Sequence, residues 1–89
     1  MAHILVVNAG SLLVALITGS LRDDGHEITH ADNPVNALDI TAKWNGTFDL
    51  ILTDVLTKPI SGFEFAKRLT IMGSRVPVLF MSEVVRWCP

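Results

Sequence analysis

The sequence is poor in the residues that build disulfide scaffolds, charged surfaces and membrane spans. Its 89 residues contain one cysteine, Cys88, and no tyrosine. A single cysteine excludes an internal disulfide and a cysteine-ligated metal site. Next to the last residue, with Arg86 as the only basic neighbour to lower its pKa, Cys88 reads as an incidental thiol. Charged residues make up 18% of the chain and the formal net charge is −2, with Lys and Arg scattered. The basic face that nucleic acid requires is therefore missing, and no direct nucleic-acid partner is expected. No apolar run approaches the roughly 18 residues of a membrane span. The run Leu12 to Ile17, followed by Thr18, Gly19 and Ser20, imitates a secretion signal, but the first basic residue is Arg22, beyond the run. Signal peptides open with positive charge, so a cytoplasmic chain is expected. His3, His26 and His30 show no metal-ligand spacing.

What is abundant is apolar sequence, 49% of the chain. Small chains bury a smaller share of their surface than large ones, so this excess implies that a partner covers part of it. No linker, repeat or low-complexity stretch divides residues 1–89, and one domain is expected. His3 to Val7 is a continuous apolar run, the pattern of a strand buried on both faces. Ser11 can cap a helix carrying Leu12, Leu13, Leu16, Ile17 and Leu21 at helical spacing, and Gly25 suits its left-handed end. Glu27 to Ala31 is short and partly polar, as an edge strand should be. Asn33-Pro34 opens a helix that runs to about Trp44 and ends at Asn45-Gly46. Phe48 to Thr53 is a second strongly buried strand. Ser61 and Glu64 have capping-box spacing, and the helix they open carries Phe63, Ala66, Leu69 and Thr70 on one side and stops at Gly73. Val76 to Met81 is a fourth strand. Strands alternating with helices predict an α/β fold, a parallel sheet with helices on both faces joined by right-handed crossovers.

In such sheets ligands sit beyond the carboxyl ends of the strands. The residues there are Asn8-Ala9-Gly10-Ser11, Asp54-Val55-Leu56 and Ser82-Glu83. Asp54 directly follows an apolar strand, which puts its carboxylate at the rim of the sheet, either as a functional group or as an ordinary loop-opening Asp. Phe48-Asp49-Leu50-Ile51-Leu52-Thr53-Asp54-Val55 with Gly62-Phe63-Glu64 resembles the phosphoacceptor segment of two-component response-regulator receiver domains. The likeness is collinear from residue 3 to 83. Ile4-Leu5-Val6-Val7 is similar to the first strand of that family, Gly25-His26-Glu27-Ile28 and Asn36-Ala37-Leu38 to its second strand and helix, and Val76 to Ser82 to its fourth strand.

The resemblance implies a three-layer flavodoxin-like fold with four strands present in the order 2-1-3-4. It also implies that Asp54 accepts a phosphoryl group from a histidine kinase or phosphotransfer protein, with the Ser82 hydroxyl on the phosphoryl oxygens. The chemistry suits these residue types, because a carboxylate is a sufficient nucleophile towards an activated phosphoryl donor. Transfer then depends on positioning and charge neutralisation, usually with Mg²⁺.

Several residues depart from the family. Where receivers carry paired acids after the first strand, this chain has Asn8 and Ala9. Mg²⁺ favours carboxylate and water oxygens in octahedral geometry, so a site of Asp54, the Leu56 carbonyl and Asn8 would hold it weakly or not at all. Lys58 stands where the family has proline, with Pro59 one position later. The chain stops at Pro89, before the family's fifth strand and its phosphoryl-neutralising lysine, so the expected domain is a truncated receiver with impaired chemistry. That truncation leaves residues 76–81 as a bare apolar edge, a template for association. A homodimer through that strand or through the Val84 to Trp87 tail is expected, where Trp87 needs a surface to cover it.

Two other functions compete with a signalling receiver. A degenerate receiver would act as a phosphorylation-independent interaction module. A flavodoxin-like nucleotide or flavin binder would use the loop Asn8 to Ser11 at a helix start, although Gly10 is the only glycine there.

Overall fold

The computed structural model describes residues 1–8, 12–43 and 47–81. Its elements run β1 (His3–Val7), α1 (Leu12–Asp23), β2 (Glu27–Ala31), α2 (Pro34–Lys43), β3 (Leu50–Asp54), α3 (Gly62–Ile71) and β4 (Val78–Met81). The four strands are parallel and ordered β2-β1-β3-β4, the α/β flavodoxin-like arrangement expected. Ser11, Trp44 to Gly46, Ser82 and the Val84 to Trp87 tail lie outside the described residues.

β1 is central because it has the most continuous apolar sequence. Ile4 pairs with both Ile28 and Leu50, and Val7 with both Ala31 and Thr53. Strand side chains alternate between faces, so β1 supplies two cores. Leu5 and Val7 join Ala31, Ala37, Phe48, Ile51, Phe65 and Leu69 beneath α2 and α3. Ile4 and Val6 join Val14 and Leu52 beneath α1.

Local chemistry sets the helix boundaries. The Asn33 side-chain oxygen accepts from the Asn36 N–H at 2.8 Å, capping α2 as its sequence predicts. Both α1 and α3 end in the same left-handed motif. Gly25 (φ +91°) donates to Arg22 while His26 donates to Leu21, and Gly73 (φ +88°) donates to Thr70 while Ser74 donates to Leu69. Ser61 Oγ accepts from the Glu64 N–H at 3.1 Å. The expected return bond gives way to another partner, since Glu64 Oε2 accepts from Arg68 Nε one turn on, at 3.3 Å. Ser61→Ala should therefore destabilise the fold by about 1 kcal/mol, the usual value of an N-cap hydroxyl. Urea unfolding of the two chains checks this.

Three expectations need correction. α1 buries Val14 and Thr18 and half-buries Leu21, while Leu12 and Leu16 point outward at 79% and 65% exposure and Ile17 is also exposed. The apolar stripe read from the sequence therefore lies mostly on the outer side. α3 buries Phe65 and Leu69, whereas Phe63 and Thr70 face out. β3 begins at Leu50 and includes Asp54, and β4 begins at Val78. Phe48 is buried ahead of the strand, against the His3 ring with centroids 4.5 Å apart.

Candidate functional site

The carboxyl ends of β1 and β3 lie side by side, which brings Asn8 and Asp54 together across 46 residues of sequence. Asp54 closes β3 and pairs in register with Met81 of β4. Asn8 continues β1 by one residue, its N–H donating to the Ala31 carbonyl at 3.0 Å. Its side chain is only 2% exposed, and Asn8 Nδ2 donates to Asp54 Oδ2. Asp54 as a residue is partly exposed, yet its Oδ1 is shielded from solvent. One carboxylate oxygen is thus engaged by a neutral amide and the other is sheltered.

Gly62 fixes the floor of this site. A Cβ on Gly62 would lie 2.1 Å from the Asp54 carbonyl oxygen and 3.2 Å from Val55 Cα. Its own N–H donates to the Val55 carbonyl at 2.9 Å. The first turn of α3 therefore rests directly on the backbone of Asp54 and Val55, an approach that only glycine permits. Gly62 stands eight residues after Asp54, and this contact is the steric reason that the position takes glycine.

The remaining candidates are less converged. Leu56 follows Asp54 by two residues and its side chain is exposed, as is that of Lys58, and the Lys58-Pro59 peptide is cis. Ala9 and Ser82 lie outside the described residues, although Met81, the residue before Ser82, pairs with Asp54. Among the described residues no group of three or more His, Cys, Asp or Glu is placed to hold a metal ion. At Asn8 and Asp54 the donor set is one carboxylate and one amide, and the amide turns its NH₂ group to the carboxylate. A hard divalent cation seeks several oxygens and is repelled by that group, so these two residues as arranged do not fit Mg²⁺.

His30 Nδ1 lies 3.5 Å from Asp32 Oδ1 on the outer strand. A separate cleft of about 420 Å³ sits at the opposite, amino end of the sheet, lined by Thr41, Phe48, Asp49, Ser74, Arg75 and Pro77. It shares no residue with the Asp54 site. Among the described residues, no helix is long and apolar enough to cross a membrane.

Residues 4–86 match the family model of the response regulator receiver domain. YkoG, an uncharacterized transcriptional regulatory protein of Bacillus subtilis strain 168, is 30% identical over 80 residues, covering 90% of this chain and 34% of that protein. A probable transcriptional regulatory protein of Picosynechococcus is 27% identical over 86 residues and is likewise 34% covered. The chain thus spans about a third of the length of these curated relatives. Among solved structures, the chemotaxis response regulator CheY4 of Vibrio cholerae superposes with a TM-score of 0.80 at 26% identity, over 97% of this chain and 72% of that one. The receiver domain of Francisella response regulator 1452 gives 0.83 at 20% identity over 97% and 69%, a likeness of fold.

Proposed function

The chain belongs to the response regulator receiver domain family, and from that premise we propose that Asp54 is its phosphoacceptor, set in a pocket whose metal-holding capacity is weakened. Receiver domains of response regulators act in two-component signalling, where they interact with histidine kinases or phosphotransfer proteins and typically bind Mg²⁺. The observation that carries the reading is the seat of Asp54. It ends a buried strand at the carboxyl rim and rests against the glycine that opens α3.

The chemistry is a displacement at phosphorus. An Asp54 carboxylate oxygen forms the new O–P bond while the bond from phosphorus to the donor's leaving group breaks, and that electron pair departs with the leaving group. The backbone seat on Gly62 fixes where the carboxylate stands. Ser82, next in sequence after the Met81 that pairs with Asp54, is the hydroxyl assigned to the phosphoryl oxygens. Such a hydroxyl couples phosphorylation to conformation. Asn8 and the Leu56 carbonyl are the remaining groups assigned to the metal position. Asn8 brings an amide where a second carboxylate would neutralise the cation, so Mg²⁺ is held weakly or not at all.

The Asn8–Asp54 hydrogen bond favours a second reading, a receiver that no longer takes phosphate and works as a protein-interaction module. Incubation with a small acyl-phosphate donor and Mg²⁺, followed by intact-mass measurement, separates the two. A phosphoryl adduct that disappears in Asp54→Asn is the expected result. No adduct on the parent chain, or an adduct retained by Asp54→Asn, would refute Asp54 as acceptor, and the first of these outcomes favours the interaction module.

A further inference from the structure

Thr53 places a hydroxyl where packing alone asks for none. It follows Leu50-Ile51-Leu52 in β3 and is fully enclosed, at 0% exposure. Its register partners are apolar on both sides, Val7 of β1 and Phe80 of β4. Residues in register share a face of the sheet, so Thr53 lies with Val7 on the side of the core that holds Ile51 and Phe65. Valine would fill the same space there. A buried hydroxyl, by contrast, costs stability unless it is hydrogen-bonded.

The hydroxyl makes its bond to the candidate acceptor residue. Thr53 Oγ1 donates to the Asp54 carbonyl oxygen at 3.1 Å. The same oxygen is the atom that leaves no room for a Cβ on Gly62. The peptide that follows Asp54 is thus tied by a side chain from inside the sheet and pressed by the first turn of α3. Successive side chains of a strand point to opposite faces, so the Thr53 hydroxyl acts through the backbone and stays away from the Asp54 carboxylate.

We propose that Thr53 is a positioning residue for Asp54: its buried hydroxyl fixes the Asp54 peptide and, with it, the direction in which the carboxylate leaves the strand. Asn8 Nδ2 meets that carboxylate from β1, and Thr53 sets it from within β3. The functional consequence rests on the reading of Asp54 as phosphoacceptor, so the test carries one readout that needs no phosphate.

Two substitutions divide the side chain. Thr53→Val keeps its shape and removes the hydroxyl, and Thr53→Ser keeps the hydroxyl and removes the methyl. The first readout is the NMR resonance of the Asn8 side-chain amide, which donates to Asp54 Oδ2 and so reports the carboxylate directly. Thr53→Val is expected to shift it and Thr53→Ser to leave it near the parent position. The second is the initial rate of phosphoryl-adduct formation with a small acyl-phosphate donor and Mg²⁺, followed by intact mass. Thr53→Val is expected to lower that rate by about tenfold or more, because small misplacements of a reacting group are costly, and Thr53→Ser to restore most of it. An Asn8 amide unmoved by Thr53→Val overturns the proposal. So does a parent-like rate in Thr53→Val, even with a lower Tm, since the hydroxyl then serves stability alone. The reverse pattern, with Thr53→Ser impaired and Thr53→Val intact, overturns it in favour of packing. If the parent chain takes no phosphoryl group, Asp54 fails as acceptor and the Asn8 amide alone decides the role of Thr53.

Discussion

Gly62→Ala is expected to lower the unfolding free energy by about 3 kcal/mol, the upper part of the usual range for overpacking. The new methyl would meet the Asp54 carbonyl oxygen at 2.1 Å and its carbon at 3.0 Å. These are backbone atoms, so no flexible side chain can swing away. α3 cannot retreat either, since Ser61 caps it and Phe65 and Leu69 anchor it in the core beneath. Either the helix start lifts or the Asp54 peptide shifts, and both displace the carboxylate. For a domain of this size the loss corresponds to a fall in Tm of roughly 12 to 24 °C. Gly19→Ala is the internal control. It lies within α1, with nothing within 4 Å of its would-be Cβ, and should stabilise by about 0.5–1 kcal/mol through helix propensity alone. Equal effects of the two substitutions in urea unfolding would remove the steric account of Gly62.

Asn8→Asp is expected to make stability depend on Mg²⁺. In the parent chain the Asn8 amide donates to Asp54 Oδ2, so a neutral donor rather than a second carboxylate faces that oxygen. Replacing that NH₂ by oxygen sets two carboxylates face to face where one residue is 2% exposed. Without metal the pair must repel or hold a proton, a destabilisation of a few kcal/mol to order of magnitude. With Mg²⁺ the same oxygens become ligands. A cation that binds only the folded state returns about 2.7 kcal/mol at a concentration a hundred times its Kd. The measurement is Tm against MgCl₂ at constant ionic strength. A saturable rise is expected for Asn8→Asp and a flat line for the parent chain. The same rise in both would show that Asn8 does not decide metal binding.

Much of the frame was legible because it is local. The apolar runs at His3–Val7 and in the fourth strand, the Asn33-Pro34 start and the stops at Gly25 and Gly73 each follow from a few adjacent residues. The inward face of α1 was not. That helix has apolar residues on more than one side, and hydrophobicity alone does not say which side meets the sheet. It buries Val14 and Thr18 while Leu12 and Leu16 face out. α3 shows the same ambiguity with Phe63 and Phe65. At the site, Asp54 was legible as the end of a strand, and Gly62 only through the resemblance of its segment to receiver domains. The hydrogen bond that changes the reading of Asn8 joins residues 46 apart and exists only because β1 and β3 are neighbours. Composition and spacing carry no trace of it.

The central place of β1 also sets the order in which a nascent chain can assemble. Its contact with β2 closes across 24 residues, Ile4 to Ile28, and its contact with β3 across 46, Ile4 to Leu50. Loop-closure entropy grows with the logarithm of length, so the second closure costs about 0.6 kcal/mol more than the first. The larger handicap is one of time. Non-local parallel pairing is slow, and on the ribosome it cannot begin until β3 has emerged. β1, α1 and β2 can join first as a right-handed crossover unit. Until β3 arrives, that unit carries its most apolar strand with one side open. The strand most protected in the finished fold is thus the one most at risk while the fold is being made.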